Sequence, residues 1–457
     1  MKLLAQFAAL LEAWKTAFAQ SRTHERAVAH ALAAGCALGR RTLSPSIALL
    51  GRAQKDWSAD DKIFSRSPWR PQDLFAPVLT DYLRRYPEGP LRVAFDDTKL
   101  PKTGKKIPTA FWQRHPLSPP FRINLLYGLR FLQASLLFPH YQEGDFSARA
   151  LPVRFHEAPA VDKPGRRASA QAQEEYRRLR KLKNLSTQSL AVVRDLRAQF
   201  DALGAVARLL LRALDGSFCN QTFFKASLDR TELLARGRKD ARLCFPAPPG
   251  SRRRYAAAIF TPEQVRQDEA RPWQRAKVYF GGQWREVRYK EVAGIRWRRG
   301  AGPRALRLIV VAPLPYRVSP HARLHYRQPA SLLTTDLASG AASLLQAYLD
   351  RWQIEVNHRD EKSLLGVGQA QVRSVLSVPR QPALVVASYS LLLLAALQAF
   401  GPGRTSDYLP LPKWRKPASR PSLLDILNLL RQQVNETSVC VPVSAISAET
   451  LMHCAYT

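Results

Sequence analysis

Residues 348–362 read YLDRWQIEVNHRDEK, and this stretch guides the interpretation of the whole chain. It contains neither proline nor glycine and follows a run rich in alanine and leucine, so the pattern predicts about four turns of helix. One face of that helix, within an arc of roughly 60° at 100° per residue, carries Tyr348, Arg351, Glu355 and Lys362. A carboxylate between two cations, with a phenol one turn away, suits a metal ion beside a phosphodiester.

The overall charge also indicates a polyanionic partner. The formal net charge is +34 over 457 residues, far more than solubility requires. A chain this basic is expected to bind nucleic acid at least non-specifically, with a steep dependence on salt. Because 46% of the residues are hydrophobic, the chain can also build a large core, which excludes a disordered basic tail. The length indicates two to four domains.

The spacing Tyr-(2)-Arg-(3)-Glu-(6)-Lys resembles the signature of bacterial insertion-sequence DDE transposases, whose catalytic core is RNase H-like. The resemblance implies that Glu355 is the third of three metal-binding acids. It also implies DNA-binding roles near the cut for Tyr348, Arg351 and Lys362. Glu361 lies about 120° away on the same helix and is expected to point elsewhere. The alternative, a solvated face laced with ion pairs, is weakened by the flanking Arg-Trp and Ile-Glu matches.

A first acid is expected at the end of a buried strand. Residues 91–95 are apolar apart from one arginine and run into Asp96, Asp97 and Thr98, followed by a basic loop. An RNase H-like site needs carboxylates from separate strands, because two divalent cations must be held about 4 Å apart. In the family pattern the acid immediately precedes threonine, which selects Asp97. Asp96 remains an alternative, since strand alternation lets one of the pair face the site, and aspartate also forms ordinary turns.

The second acid is expected at Asp215, which follows the apolar run at residues 209–214 and precedes a glycine. The family has a comparable aspartate at a strand end in this region, although Asp-Gly is also an ordinary turn dipeptide. Asp229 is the competing candidate, but no apolar strand runs into it. Residues 232–243 look like the next strand of the core and carry a row of arginine and lysine residues.

The gap between the second and third acids is too long for a compact RNase H core. Alternating runs at residues 277–280, 284–289 and 306–312 predict a β-rich insertion, and similar transposases carry one in this position. Within it, Trp297 has arginines on both sides. Its indole could stack on an unpaired base while the arginines contact phosphates, as happens in some relatives, although a tryptophan in an alternating strand is more often part of the core.

Other segments bear on the compartment. Residues 382–400 (PALVVASYSLLLLAALQAF) are nearly long enough to span a bilayer, but they follow the predicted helix without a positive-inside flank, so a buried core helix is expected. Residues 1–20 predict an amphipathic helix rather than a signal peptide. The five cysteines form no CxxC pair, which fits a reducing cytosol; they are Cys36, Cys219, Cys244, Cys440 and Cys454.

Together these patterns predict an α/β fold: an RNase H-like mixed sheet flanked by helices, interrupted by a β-rich insertion and preceded by a helical N-terminal domain. The predicted boundaries are a helical DNA-binding domain at 1–88, the first part of the core at 89–243, the insertion at 244–330, the second part of the core with the signature helix at 331–400, and a C-terminal tail with a helix at 401–457.

The resemblance implies a DNA transposase that binds the inverted-repeat ends of an insertion sequence as a homodimer and joins them to target DNA. Two Mg²⁺ or Mn²⁺ ions would be held by Asp97, Asp215 and Glu355. A cytoplasmic, nucleoid-associated protein of bacteria is expected, with no membrane partner. Two alternatives remain: an RNase H-like nuclease without strand transfer, and a catalytically inactive, transposase-derived DNA-binding protein. All three acid positions are present, which argues against a decayed enzyme.

Overall fold

The computed structural model describes residues 1–119, 121–319 and 321–440. The predicted C-terminal tail, with Cys454, therefore lies partly outside the described residues. The α-helices are α1 Lys2–Glu12, α2 Ser21–Cys36, α3 Leu43–Leu49, α4 Ser58–Ser65, α5 Ala76–Arg85, α6 Ala170–Leu182, α7 Leu185–Ala202, α8 Gln221–Lys225, α9 Pro262–Gln267, α10 Ala341–Asp350, α11 Gln353–Ser363, α12 Ser377–Phe400 and α13 Leu423–Cys440. Short 3₁₀ segments occupy Ala13–Ala17, Pro71–Phe75, His140–Gln142 and Gly216–Phe218. The strands are β1 Leu91–Pro101, β2 Phe111–Arg114, β3 Leu125–Phe138, β4 Arg149–Glu157, β5 Leu210–Leu214, β6 Thr231–Gly237, β7 Leu243–Pro246, β8 Tyr255–Phe260, β9 Gln274–Phe280, β10 Gln283–Ile295, β11 Leu306–Val311, β12 Pro315–Tyr316, β13 His325–Tyr326 and β14 Ala330–Thr334.

Ten of these strands form one mixed sheet, in the order β2-β3-β1-β5-β6-β14-β11-β10-β9, with β4 also paired to β3. Strands β1, β5 and β6 run parallel to one another, and the other pairings in the sheet are antiparallel. The parallel centre is covered on both faces, so β5 is a continuous buried run with Leu, Arg and Ala side chains. The mixed α/β class expected from the sequence is confirmed.

The runs that predicted a β-rich insertion correspond to β9, β10 and β11. These strands extend the main sheet, because β11 pairs with β14, which in turn pairs with β6. The run predicted as the next strand of the core contains most of β6. Two smaller antiparallel pairs, β7 with β8 and β12 with β13, stand apart from the main sheet.

Helices α10 and α11 lie on one face of the sheet, called here the helix-11 face. Ile354 of α11 packs among Ala94, Leu137 and Ala150, which belong to β1, β3 and β4. Helix α7 lies on the opposite face, where Arg154 of β4 donates to Asp195 of α7 at 3.1 Å. The two faces of β1 therefore meet different helices, so the direction of each β1 side chain decides what it can reach.

Helix α12 is a buried core helix, as expected for residues 382–400. The most apolar 18-residue window of α12 is 83% buried inside the protein, and α1, α2 and α13 pack around it. The N-terminal helices share one hydrophobic cluster with the sheet, from Leu3 in α1 to Phe95 in β1. The amide of Leu4 also donates to the Gln433 side chain in α13 at 2.8 Å.

Residues 348–362 form parts of two helices, and the prediction of one continuous helix is corrected here. The chain tightens between α10 and α11, where the amides of Ile354 and Glu355 bond three residues back rather than four. Anchors on both sides account for the break. Asp350 accepts from Tyr141 at 3.1 Å, while Ile354 is fixed on the sheet. No proline or glycine lies at the break, so the sequence does not indicate where the helix is interrupted.

Candidate active site

Asp96 and Asp97 lie in β1 on opposite faces of the sheet, because successive strand residues alternate. Ala94 packs against Ile354 of α11, and Asp96 is two residues further along the same strand. Asp96 therefore shares the helix-11 face. Its register partner on β3, Gln133, also reaches α11, which confirms the direction of this row of side chains.

Asp97 lies on the other face, in register with Leu132 of β3. Its nearest charged partners there are Arg130 and Lys99, both of which lower its pKa. Burial raises the pKa of Asp97 more strongly than these cations lower it. Asp97 is still electrostatically coupled to Asp215, so the two faces are not isolated at this point.

Asp215 follows the last residue of β5, at the carboxyl edge of the parallel strands. Leu214 pairs with Phe95 of β1, so the next residue, Asp215, comes alongside Asp96. The Asp215 backbone is still extended, with φ −77° and ψ 172°, before the chain turns. The two acids therefore lie next to each other on the helix-11 face. Arg236 of β6 continues this row, since Leu214 pairs with Ala235.

The third acid, Glu355, reaches the same place from α11. Its carboxylate accepts a hydrogen bond from Arg351 Nη2 at 3.2 Å, and the Arg351 guanidinium lies 5.8 Å from the centre of the Tyr348 ring. Tyr348 is coupled electrostatically to both Asp215 and Glu355. Lys362, at the far end of the helix, is coupled to both Asp96 and Asp97. The four polar residues of the signature thus converge on one region despite the break in the helix.

The acids destabilise one another's charged forms. Burial, followed by the charge of Asp97, raises the pKa of Asp96 to about 7, with Asp215 adding to the effect and Arg351 opposing it. Burial and Asp215 likewise raise the pKa of Glu355, against the lowering effect of Arg351. A group of half-buried carboxylates that repel one another is stabilised by a bound cation. Oxygen donors of this kind suit Mg²⁺ or Mn²⁺.

Within the described ranges, no three side chains of Asp, Glu, His or Cys already converge closely enough to form a metal cage. His358 does not neutralise the acids. Its Nδ1 lies 4.0 Å from Asp96 Oδ2, but burial lowers the pKa of His358 to about 3, so the ring is uncharged at neutral pH. The positive charge on the helix-11 face therefore comes from Arg351 and Lys362, together with Arg236.

Arg351 has donor capacity to spare. Its residue is 6% exposed, and its Nε and Nη1 have no hydrogen-bond partner among the residues that the structure describes. A buried guanidinium that makes one bond to a carboxylate carries an unmet cost, since unpaired buried polar groups are destabilising. Because Nε and Nη1 lie on different edges of the guanidinium, each can donate a single charge-assisted hydrogen bond to a phosphate while Nη2 bonds Glu355.

Glu361 lies against the sheet, where its partner Gln133 is also the register partner of Asp96. It accepts a hydrogen bond from Gln133 Nε2 at 2.9 Å and is 1% exposed. Burial raises its pKa to about 8, more strongly than Gln133 and Lys362 lower it. One turn earlier, Asn357 accepts from Ser135 Oγ at 3.1 Å. This side of α11 makes a hydrogen-bonded polar contact with the sheet, in which the buried Gln133 Oε1 has no partner among the described residues.

The loop after α11 is tied back to β1. Lys102, which is 7% exposed, donates to the carbonyl oxygens of Gly368 at 2.7 Å and Ala370 at 2.5 Å. The Gln371 side chain accepts from the Thr103 amide at 3.2 Å. These contacts hold the end of α11, and with it Lys362, against the strand that carries the first acids.

Asp229, the competitor of Asp215, lies away from the acids. It precedes Thr231, the first residue of β6, and so lies at the amino edge of the parallel strands. Its side chain is 78% exposed and pairs with Arg230 at 2.9 Å. These observations favour Asp215 as the second acid.

Trp297 lies at the end of β10, partly buried, with its ring 5.4 Å from Phe224 and packed over Gly300. It lines a groove of about 850 Å³ together with Arg242, Arg253, Arg254, Arg298 and Arg299. None of these five arginines forms an ion pair with a carboxylate of the described chain. The groove is therefore an uncompensated cationic surface, with one edge of the Trp297 ring in its wall.

Two charged or titratable residues of this region, His358 and Arg236, were not predicted from the sequence to belong to the site. His358 comes three residues after Glu355, and this helical spacing could have identified it. Arg236 could have been found from strand alternation within residues 232–243. The direction of Asp96 needed the register with β3 and β5, which a single strand does not reveal. No protein-family model matches the sequence, and no curated protein matches it.

Proposed function

We propose that this chain is a DDE-type DNA transposase with an RNase H-like core, which cuts the inverted-repeat ends of an insertion sequence and joins them to target DNA. The observation that carries the proposal is the convergence of Asp96, Asp215 and Glu355 on the helix-11 face. These acids arrive from two neighbouring parallel strands and a helix, which is the arrangement that the signature at residues 348–362 implies.

The first acid in this proposal is Asp96, in place of the Asp97 that the sequence pattern favoured. Asp96 shares its face with Asp215 and α11, whereas Asp97 is directed to Arg130 and Lys99 on the opposite face. In this proposal Asp97 binds no metal and affects the site only through its charge, which raises the pKa of Asp96.

Two divalent ions bound to these carboxylates would activate the attacking hydroxyl and stabilise the leaving oxygen. The chain's own residues position the phosphodiester. Arg351 can donate from Nη1 to a phosphate oxygen while its Nη2 bonds Glu355. Lys362 adds a second positive charge on the same face, and the Tyr348 hydroxyl is a further donor.

The surface around the site supports a DNA substrate. The net charge of +34 provides long-range attraction to a polyanion. The groove beside Trp297 concentrates unpaired arginines, of which Arg298 lies 5.7 Å from the ring of Tyr255. Arginines interleaved with aromatic rings are a common means of holding the backbone and bases of a DNA strand. Binding of the terminal repeats by residues 1–88 and pairing of two protomers belong to the same proposal.

The test begins with the DNA that flanks the gene. Imperfect inverted repeats of a few tens of base pairs, bracketed by short direct duplications, are expected there, and they supply the substrate. The purified protein should then nick or cut a duplex carrying that repeat when Mg²⁺ or Mn²⁺ is present, and join the freed 3′ end to a second DNA. Cutting without joining would favour the nuclease alternative.

The matched variants are Glu355→Gln and Glu361→Gln, which make the same change six residues apart on one helix. Glu355→Gln should abolish cleavage and leave DNA affinity within about twofold, because its carboxylate acts on metal rather than on the duplex. Glu361→Gln should leave cleavage nearly unchanged. Equal losses in the two variants would contradict the proposed site, and binding without any metal-dependent cleavage by the wild type would favour an inactive DNA-binding protein.

A further inference from the structure

A two-stranded arm projects from the sheet beyond the acids. Its described residues are 111–119 and 121–127: β2, the outer end of β3 and the loop residues between them. Arg114 pairs with Leu125 at the outer end of the ladder, and the His115 amide extends it by donating to the Asn124 carbonyl at 2.8 Å. Because residues 131–138 of the same β3 strand are buried in the main sheet, the arm continues a rigid element.

The arm exposes large apolar side chains to solvent. Phe121 is 91% exposed and Leu117 is 83% exposed, and the arm also exposes Trp112, Ile123 and Leu125. Single exposed hydrophobic residues are common on protein surfaces, but a group of five on one short hairpin is typical of a surface that contacts a partner.

The tip has a defined conformation. Ser118 Oγ donates to the Asn124 carbonyl at 3.0 Å and accepts from the Asn124 amide at 3.1 Å. Arg114 Nη2 donates to the Pro119 carbonyl at 3.3 Å. The arm is also tied to β1, where Lys99 Nζ donates to the Arg114 carbonyl at 2.5 Å. The apolar side chains are thus presented by a preorganised hairpin, which reduces the entropy lost on binding.

The positive charge of this segment favours a polyanion as its binding partner. The sequence from Thr98 to Gln142 contains no aspartate or glutamate. The exposed arm and its flanks carry Lys105, Lys106, Arg114 and Arg122. A net charge of +34 over the whole chain adds to the attraction of a polyanion to this segment.

The position of the arm brings it to the same DNA as the acids. Strands β1 and β3 are antiparallel, with Asp96 opposite Gln133, so β3 enters the sheet at the edge where β1 ends. Lys99 in β1, two residues beyond Asp97, donates to the Arg114 carbonyl, so the arm folds back and its outer end lies close to the strand that carries the first acids. A duplex whose backbone lies across the acids would therefore pass along the arm.

We propose that the arm is a DNA wedge, in which Leu117 and Phe121 enter between stacked base pairs of the duplex and bend it beside the acids. The identification of the polyanion as duplex DNA rests on the proposed function. Apolar side chains that part a base step, with cations on the flanking phosphates, are a known way to bend DNA. The arm combines both features, while Lys105, Lys106 and Arg122 are placed to contact the backbone.

The test compares the double variant Leu117→Ala/Phe121→Ala with the wild type and with Leu203→Ala, a control at an exposed apolar residue outside both the arm and the proposed DNA-binding segments. Affinity for a 30-base-pair duplex is measured by fluorescence anisotropy over a series of salt concentrations, without divalent metal. The double variant should bind about tenfold more weakly at every salt concentration with an unchanged salt slope, because an apolar wedge releases no counterions. Leu203→Ala should bind like the wild type.

A second readout follows the DNA itself. Closed circular plasmid is relaxed by a topoisomerase in the presence of each protein, and a wedge that unstacks base pairs shifts the topoisomer distribution. The wild type and Leu203→Ala should produce the shift, and the double variant should lose it. Unchanged affinity and topoisomers in the double variant would overturn the proposal. So would loss of dimerisation, or of binding to phosphatidylserine-containing vesicles, with DNA binding intact.

These outcomes are separate from the fate of the proposed enzyme activity. A topoisomer shift that depends on Leu117 and Phe121, in a protein without metal-dependent cleavage, would support the wedge and contradict the transposase. Metal-dependent cleavage at wild-type rates by a double variant that binds and unwinds DNA normally would support the enzyme and contradict the wedge.

Discussion

Glu355 and Glu361 lie six residues apart on α11, and their carboxylates differ in burial and in hydrogen-bond partners. On the sheet side, Glu361 is buried, accepts from Gln133, and has a pKa raised to about 8. On the acid side, Glu355 is partly exposed and faces Asp215, with Arg351 as its partner. The comparison shows that the surroundings of a carboxylate on this helix depend on which part of the sheet lies opposite it.

The largest expected effect is the difference in cleavage rate between variants of the two neighbouring aspartates of β1. Asp96→Asn should lower the rate of metal-dependent cleavage at least about a thousandfold, because it removes a carboxylate from the helix-11 face. Asp97→Asn should lower it about tenfold or less, since Asp97 acts through its charge from the other face. Single-turnover cleavage of the terminal-repeat duplex measures both. The reverse order would restore Asp97 as the first acid and refute the argument from register.

The next effect concerns the unpaired guanidinium nitrogens. Arg351→Ala should lower cleavage about 10- to 100-fold and weaken DNA binding several-fold, because it removes a phosphate contact and the partner of Glu355. Arg351→Lys keeps the charge but lacks the planar fork, so it should recover affinity more than cleavage. Cleavage rates and the salt slope of binding are compared for both variants. Full recovery of cleavage by lysine would show that charge alone matters.

A smaller effect is expected on the structural side of the helix. The folded pKa of Glu361, about 8, exceeds its ordinary value of 4.5, so the folded state holds more protons between these pH values. The contribution of Glu361 to stability is therefore fully present below pH 4.5 and is lost as the pH rises toward 8. Glu361→Gln should raise the free energy of unfolding by about 1–3 kcal/mol at pH 8 and by much less at pH 5.

Chemical denaturation of the wild type and Glu361→Gln at these two pH values measures that difference. Glu355→Gln serves as the comparison on the other side of α11, where partial exposure should make the effect on stability small. A gain in Glu361→Gln that is equal at both pH values would show that the carboxyl group does not titrate as its burial implies.

The smallest effect is the stabilisation conferred by metal. A divalent ion at ten times its dissociation constant should raise the free energy of unfolding by about 1.4 kcal/mol if it binds the folded state. Mn²⁺ should give this increase with the wild type and Glu361→Gln, and little or none with Asp96→Asn or Glu355→Gln. Thermal unfolding at increasing Mn²⁺ concentration provides the measurement. Equal stabilisation of all four proteins would place the ion elsewhere.

Much of the site could be predicted because its parts are local. The spacing of Tyr348, Arg351 and Glu355 survives the break between α10 and α11, because the tightened turn changes the helix phase little. Asp215 could be found because a short apolar strand leads directly into it. The core helix at residues 382–400 was identified from its length and hydrophobicity, and its burial confirms that interpretation.

The remainder depended on contacts between distant segments. Whether Asp96 or Asp97 faces α11 is decided by the pairing of β1 with β3 and β5, and a shift of one residue would exchange their roles. The break at Arg351 arises from the contact of Asp350 with Tyr141, more than two hundred residues earlier in the chain. The joining of the β-rich insertion to the main sheet depends on β14, which follows the insertion in sequence.

The central claim is that Asp96, Asp215 and Glu355 form one divalent-metal site on the helix-11 face. The most direct measurement is anomalous diffraction from crystals of the protein grown with Mn²⁺ and a short duplex. The account predicts manganese peaks between these three carboxylates, with Glu361 bonded to Gln133 and away from the metal. Peaks on the opposite face beside Asp97, Arg130 and Lys99, or beside Glu361, would contradict it.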